Sequence, residues 1–307
     1  MVKLSETMDR EEDQELSPQP PPFQVIVPRD KNKSAFKLRG FGPIYCINLD
    51  AQPERWQYME EQFKYWELKD YHRISAYDGR ADDLSHILKG KYPDNMSGGE
   101  IGCTTSHLKA IKHWMETSDS PYAIMMEDDC DLDVVRFWNF NWIDVFSYFP
   151  YDWDVIQLAI ICTGDLHVKL HKRFVNDFST ACYVIARHHA EKLVRLHCRG
   201  GYTGDQKYKL DQGVKPRPVA DDLVYNSGNT FSIPLLMYKI ELGSSIHPEH
   251  IGRVHDASHK ALWQYWQQMG STVNIADHMN YDPYLGRVTE ASPPPSEPET
   301  YPEENKV

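Results

Sequence analysis

The sequence has no C-x-x-C cysteine pair, no run of lysines and arginines, and no apolar stretch long enough to cross a bilayer. Each absence narrows the function. Six cysteines (Cys46, Cys103, Cys130, Cys162, Cys182, Cys198) are scattered singly. Most have apolar neighbours, where a thiol serves as a small hydrophobe. They read as reduced thiols. A formal charge of −12 at pH 7 without a compensating basic patch opposes binding to nucleic acid or an anionic membrane. A phosphorylated ligand would therefore need a metal. A membrane helix takes roughly 18 or more consecutive apolar residues. Met1 to Leu16 is acidic and lacks the apolar core of a secretory signal. The expected setting is cytoplasmic, with no transmembrane segment.

At 307 residues the chain has length for one large α/β domain plus tails. Residues 1–38 are charged, then proline-rich, and read as a disordered tail. Residues 39–270 form the expected folded domain. Residues 271–307 form an extension whose proline- and glutamate-rich part, from about residue 291, reads as a second disordered tail. No internal repeat is found between the tails, and strand-like and helix-like segments alternate as in an α/β sandwich.

The stretch that organises this pattern is Pro121 to Asp133. Tyr122 to Met126 has the length of a buried strand, and five acids (Glu127, Asp128, Asp129, Asp131, Asp133) fall in the next seven positions. Such a density of carboxylates at a strand end calls for a cation. Alternation along an extended chain puts Glu127 and Asp129 on one side and Asp128 on the other. Hard oxygen donors suit Mn²⁺ or Mg²⁺.

Ahead of this stretch, Ile44 to Leu49 reads as a strand that ends at Asp50, a plausible N-cap. Trp56, Met59, Phe63 and Trp66 then recur at helical spacing. Tyr71 to Ala76 reads as a second strand, stopped at Tyr77-Asp78-Gly79. Ser97-Gly98-Gly99 leads into a helix with Ile101, Leu108 and Ile111 on one face and Glu100 in its first turn. Behind the acids, Val134 to Phe149 is rich in aromatics, which suit either core or a stacking wall for a sugar ring. Asp154 to Ile161 and Ser179 to Ala186 read as strands, the second leading into a helix through His197. Pro218 to Asn226 holds a second acidic pair, Asp221 and Asp222. Thr230 to Ile240 is interrupted by Pro234 and reads as an edge strand or two short pieces. His247, His250, His255 and His259 precede a Trp-rich helix, Leu262 to Met269.

A metal at Glu127, Asp128, Asp129 and Asp131 would neutralise a diphosphate, both bound and departing. A nucleotide-sugar is the natural substrate, and glycosyl transfer also needs a base for the acceptor hydroxyl, a role open to Asp221 or Asp222. Arg55, Arg187 and Arg253 are candidate phosphate contacts, and His247 or His250 a further metal ligand. An EF-hand is excluded by Val134 and Phe140 at its sixth and twelfth positions. The rival readings are a Mg²⁺-dependent phosphatase or phosphotransferase and a non-catalytic carbohydrate-binding protein.

Taken in order, six segments resemble glycosyltransferase family 25, which includes lipooligosaccharide and procollagen galactosyltransferases. They are Ile47-Asn48-Leu49 with Arg55, Ile74 to Gly79, Gly99 to Cys103 with Ser106-His107, Met126 to Asp129, Ser179 to Tyr183, and Pro218 to Leu223. The resemblance implies a GT-A type, Rossmann-like α/β/α sandwich and Mn²⁺-dependent, inverting transfer from a UDP-sugar, most commonly UDP-galactose. The acceptor would be a hydroxyl on a glycan, lipid or protein. It also implies that Asn48, Leu49 and Arg55 lie at the nucleotide end of the first strand, and Ala76, Tyr77, Asp78 and Gly79 beside the base or ribose. Ser106 and His107 would stand near the donor. Glu127 and Asp129 would hold the metal and ribose, and Asp221 or Asp222 would face the acceptor. Without a secretory signal, a microbial cell or virus-infected host cytoplasm is the expected setting.

Overall fold

The computed structural model describes residues 36–90, 94–162, 166–200, 206–210, 217–243 and 254–281. The expected C-terminal tail, residues 1–35 of the N-terminal one, and His247, His250 and Arg253 lie outside them.

The first three strands, β1 (Ile44–Asn48), β2 (Tyr71–Ser75) and β3 (Tyr122–Glu127), are parallel, with β1 between the other two. Helix α1 (Pro53–Tyr65) connects β1 to β2, and helix α2 (Gly98–Thr117) lies between β2 and β3. Because the chain leaves β1 to one side and returns on the other, its direction of winding reverses at the carboxyl ends of β1 and β3. Open α/β sheets bind ligands at such a crevice.

The rest of the sheet is built from β4 (Cys130–Asp131), β5 (Val155–Ala159), β6 (His171–Lys172), β7 (Cys182–Ala186) and β8 (Thr230–Tyr238). The order is β2-β1-β3-β7-β5-β8-β4, with β6 also on β8. Strand β7 is antiparallel to both β3 and β5, so the sheet is mixed.

Side-chain alternation sorts the core into two layers. Cys46 and Met126 point to a face covered by Met59 and Phe63 of α1, Trp142 of α3 (Trp142–Ser147), and Leu262 and Trp266 of a later helix, Val254–Met269. Tyr45, Ile47 and Met125 point to the opposite face, under Leu108 and Ile111 of α2, Leu193 of α4 (Arg187–His197) and Leu223 of α5 (Ala220–Tyr225). The result is a Rossmann-like α/β/α sandwich, as the sequence pattern predicts. Among the described residues, no helix is long and apolar enough to cross a membrane.

Three local expectations are corrected. Asp50 does not cap α1: its carboxylate takes bonds from Arg73 and Ser75 at 2.7 Å each, and Gln52 stands at the cap. Strand β8 is one continuous, fully buried strand, not an edge piece. Its register shifts between Ser232 and Leu236, so a bulge accommodates Pro234, whose carbonyl accepts a bond from the Trp266 indole. Of the two readings of the aromatic segment the core one holds: Trp138 and Phe140 are buried and packed on each other and on Trp266, and buried Trp142 packs on Phe41 and Phe149. Arg187 lies at the other end of the sheet, bonded to the Ser118 and Ser120 carbonyls.

Candidate active site

The carboxyl ends of β1, β2 and β3 and the first turns of α2 enclose one cleft. Leu49 follows β1 and Ala76 to Gly79 follow β2. Ser106 and His107 come from α2, and Glu127, Asp128 and Asp129 from the end of β3. The family resemblance named these residues, and they meet here from segments far apart in sequence.

Helix α2 starts where it does because Ser97 and Glu100 form a reciprocal cap. The Ser97 hydroxyl accepts from the Glu100 amide, and the Glu100 carboxylate accepts from the Ser97 amide at 2.7 Å. Arg217 pairs with the same carboxylate at 2.7 Å. Burial would raise the Glu100 carboxyl, but these partners outweigh it and hold it low. The turn after β2 lies directly on this helix. A Cβ at Gly79 would come within 1.9 Å of the Gly98 carbonyl oxygen, and one at Gly102 within 2.5 Å of the Tyr77 carbonyl oxygen. Ser106 stitches the two together, accepting from the Tyr77 amide at 2.8 Å and donating to the Gly102 carbonyl. Its hydroxyl is therefore committed to the scaffold.

Side-chain alternation continues off the end of β3. Glu127 turns to the α2 face, where Oε1 accepts from Thr180 at 2.7 Å and lies 3.3 Å from His107 Nε2. Burial would raise this carboxyl, but the bonds with His107 and Thr180 and the Arg55 charge hold it below its ordinary value. Asp128 turns to the α1 face, where Asn48 and Arg55 each donate to it at 2.7 Å. Burial nonetheless raises it.

Arg55 is buried and also pairs with Asp129 Oδ2 at 2.9 Å. Its remaining bonds go to the Leu242 and Gly243 carbonyls. It is a counter-ion for the acidic turn, with no donor left over for a phosphate. Asn48 is likewise consumed, since its Oδ1 takes two bonds from Arg73. Asp129 is different: Oδ1 is buried with no hydrogen-bond partner. Burial and the Glu127 charge, against Arg55, push its carboxyl up to about 7.

Three expected acids, Asp131, Asp221 and Asp222, do not line this cleft. Asp131 belongs to β4, opposite Met237; it caps the Asp133 amide and faces Lys239 at 3.8 Å. The pairing of β4 with β8 and the Lys239 contact hold it outside the cleft lining. Asp222 accepts from Asn226 and the Arg217 amide, a role internal to α5. Its neighbour Asp221 has a buried Oδ1 without a partner, and burial, opposed by Arg173, raises it to about 6. The Glu127 charge also acts on Asp221, which places the two acids in one electrostatic neighbourhood.

Sequence reasoning missed Cys103 and Thr180 as site residues. Cys103 lines the cleft, and with His107 and Glu127 it brings three metal-ligating atoms within 4.8 Å. The Cys103–His107 spacing of one helical turn was the available signal.

A Rossmann-like sheet whose winding reverses over an acidic cleft defines an α/β protein with a ligand crevice at its strand ends. The family is given by comparison: the model for glycosyltransferase family 25 (LPS biosynthesis protein) matches residues 41–206, more than half of the chain. The chain belongs to that family. No curated protein matches it.

Proposed function

We propose that the protein is a metal-dependent, inverting glycosyltransferase of GT-A type that moves a hexose, galactose first among them, from a UDP-sugar to a hydroxyl acceptor on a glycan, lipid or protein. The observation that carries this reading is Asp129 Oδ1, a buried carboxylate oxygen without a partner beside a second acid in a cleft at the strand ends. A buried acid left in that state is the signature of a position meant for a cation. Hard oxygens from Asp129 and Glu127 fit Mn²⁺ or Mg²⁺. Bound there, the ion would supply charge neutralisation to the diphosphate.

The chain's own residues do the rest. Arg55 and Asn48 hold Asp128 and so fix the acidic turn. The Tyr77–Gly79 backbone, pressed on α2, forms the wall beside which a base or ribose would lie. Asp221 is the better of the two candidate bases, because its free oxygen titrates near the pH at which a base is most effective, whereas both Asp222 oxygens have donors. It would take the acceptor hydroxyl's proton as that oxygen attacks the sugar carbon and the nucleoside diphosphate leaves, a single displacement with inversion.

The test is a panel of UDP- and GDP-sugars incubated with the protein in Mn²⁺ or in EDTA, read as nucleotide release. One donor should be consumed in Mn²⁺ only, and Asp129→Ala should lose that turnover at least about 10²-fold while keeping its circular dichroism. Wild-type turnover in the variant would refute the metal assignment.

A further inference from the structure

Cys103, His107 and Glu127 bring a thiol sulfur, an imidazole nitrogen and a carboxylate oxygen within 4.8 Å of one another. Cys103 and His107 share a face of α2 one turn apart, and Glu127 meets them from the end of β3. His107 Nε2 lies 3.3 Å from Glu127 Oε1. Two ligands on a tetrahedral zinc, with bonds of about 2.0–2.2 Å, stand roughly 3.3–3.6 Å apart. The other ring nitrogen, Nδ1, is 3.1 Å from the Tyr183 hydroxyl, the outer contact that orients a metal-bound imidazole. Thr180 donates to Glu127 at 2.7 Å and so holds the carboxylate in place.

A sulfur, nitrogen and oxygen donor set is softer than the oxygen pair of Asp129 and Glu127, and it favours Zn²⁺ over Mn²⁺ or Mg²⁺. We infer that Cys103, His107 and Glu127 form a second metal site, selective for Zn²⁺, with the fourth position left for water. On binding, the Cys103 S–H bond breaks, its proton goes to solvent and the sulfur electron pair forms the Zn–S bond. No redox change is involved. One consequence rests on the function proposed above: zinc here engages Glu127, so it inhibits sugar transfer.

The experiment titrates the full-length, metal-stripped protein with Co²⁺, a spectroscopic stand-in for zinc, and then with Zn²⁺. At one equivalent of Co²⁺ a near-ultraviolet thiolate-to-cobalt band should appear, and Zn²⁺ should displace it. Cys103→Ser should lose the band. His107→Gln should weaken binding by roughly tenfold or more. Asp129→Asn should keep the band, which separates this site from the hard-cation position. Absence of the band in the wild type, or its persistence in Cys103→Ser, overturns the inference. Should Cys103→Ser fail to fold by circular dichroism, His107→Gln decides, and unchanged affinity there overturns it equally. A protein that gives the band but consumes no nucleotide-sugar upholds the zinc site and instead removes the transferase reading.

Discussion

At Asp222 both carboxylate oxygens have donors, whereas at Asp221 one buried oxygen has none. The sequence offers the two as equals, since adjacent aspartates differ only by where the α5 backbone turns each one. Asp221→Asn should lower kcat by about 10²- to 10⁴-fold with folding intact. In the wild type, activity should fall as pH drops through about 6, because a base must be deprotonated to act. Asp222→Asn should keep that acid limb, and a pH–rate profile of both variants checks the assignment. Arg55 shows the opposite kind of illegibility. Its place near the nucleotide end of β1 was readable from sequence, but its partners Asp128 and Asp129 are more than 70 positions away, and no local pattern shows that they use up its charge.

Among the elements, α2 was the most legible, because Ser97-Gly98-Gly99-Glu100 states a helix start in local chemistry. Its glycines carry a second message that the sequence does not. Gly102 faces the Tyr77 and Gly79 backbone so closely that an added Cβ would lie 2.5 Å from one oxygen and 2.8 Å from one nitrogen. Gly102→Ala should therefore push the turn off the helix, costing about 1–3 kcal/mol and raising the donor KM. Thermal melting together with donor saturation curves tests this, and an unchanged KM would show that the turn does not form the donor wall. Strand β8 was the element read least well. Pro234 argued for an edge, but a bulge takes up the missing donor inside the sheet. Asp50 failed as a cap for a related reason, since Arg73 and Ser75 of the neighbouring strand compete for it.

For the molecule as a whole, the acidic cleft sets a pH dependence of stability. Burial and Glu127 raise Asp129 to about 7 in the fold, above the value of an unfolded aspartate near 4. Between those values the native state holds more protons than the unfolded one, so this group's contribution falls as pH rises through the window. The melting temperature of Asp129→Asn relative to wild type should therefore climb from pH 4 to pH 7, by roughly 2–8 °C. Saturating Mn²⁺ should stabilise the wild type more at pH 8 than at pH 5.5, and stabilise Asp129→Asn at neither; calorimetry with and without EDTA measures both. Arg55 adds a consequence in time. Its bonds to the Leu242 and Gly243 carbonyls join residues 187 and 188 positions apart. Contacts so distant in sequence form late, after the cost of closing the intervening chain has been met. During synthesis Arg55 and the acidic turn are made well before β8, which pairs with β5. The nascent chain thus carries Arg55, Asp128 and Asp129 on a half-built sheet, and the Leu242 and Gly243 carbonyls that complete the Arg55 contacts arrive after the last long strand.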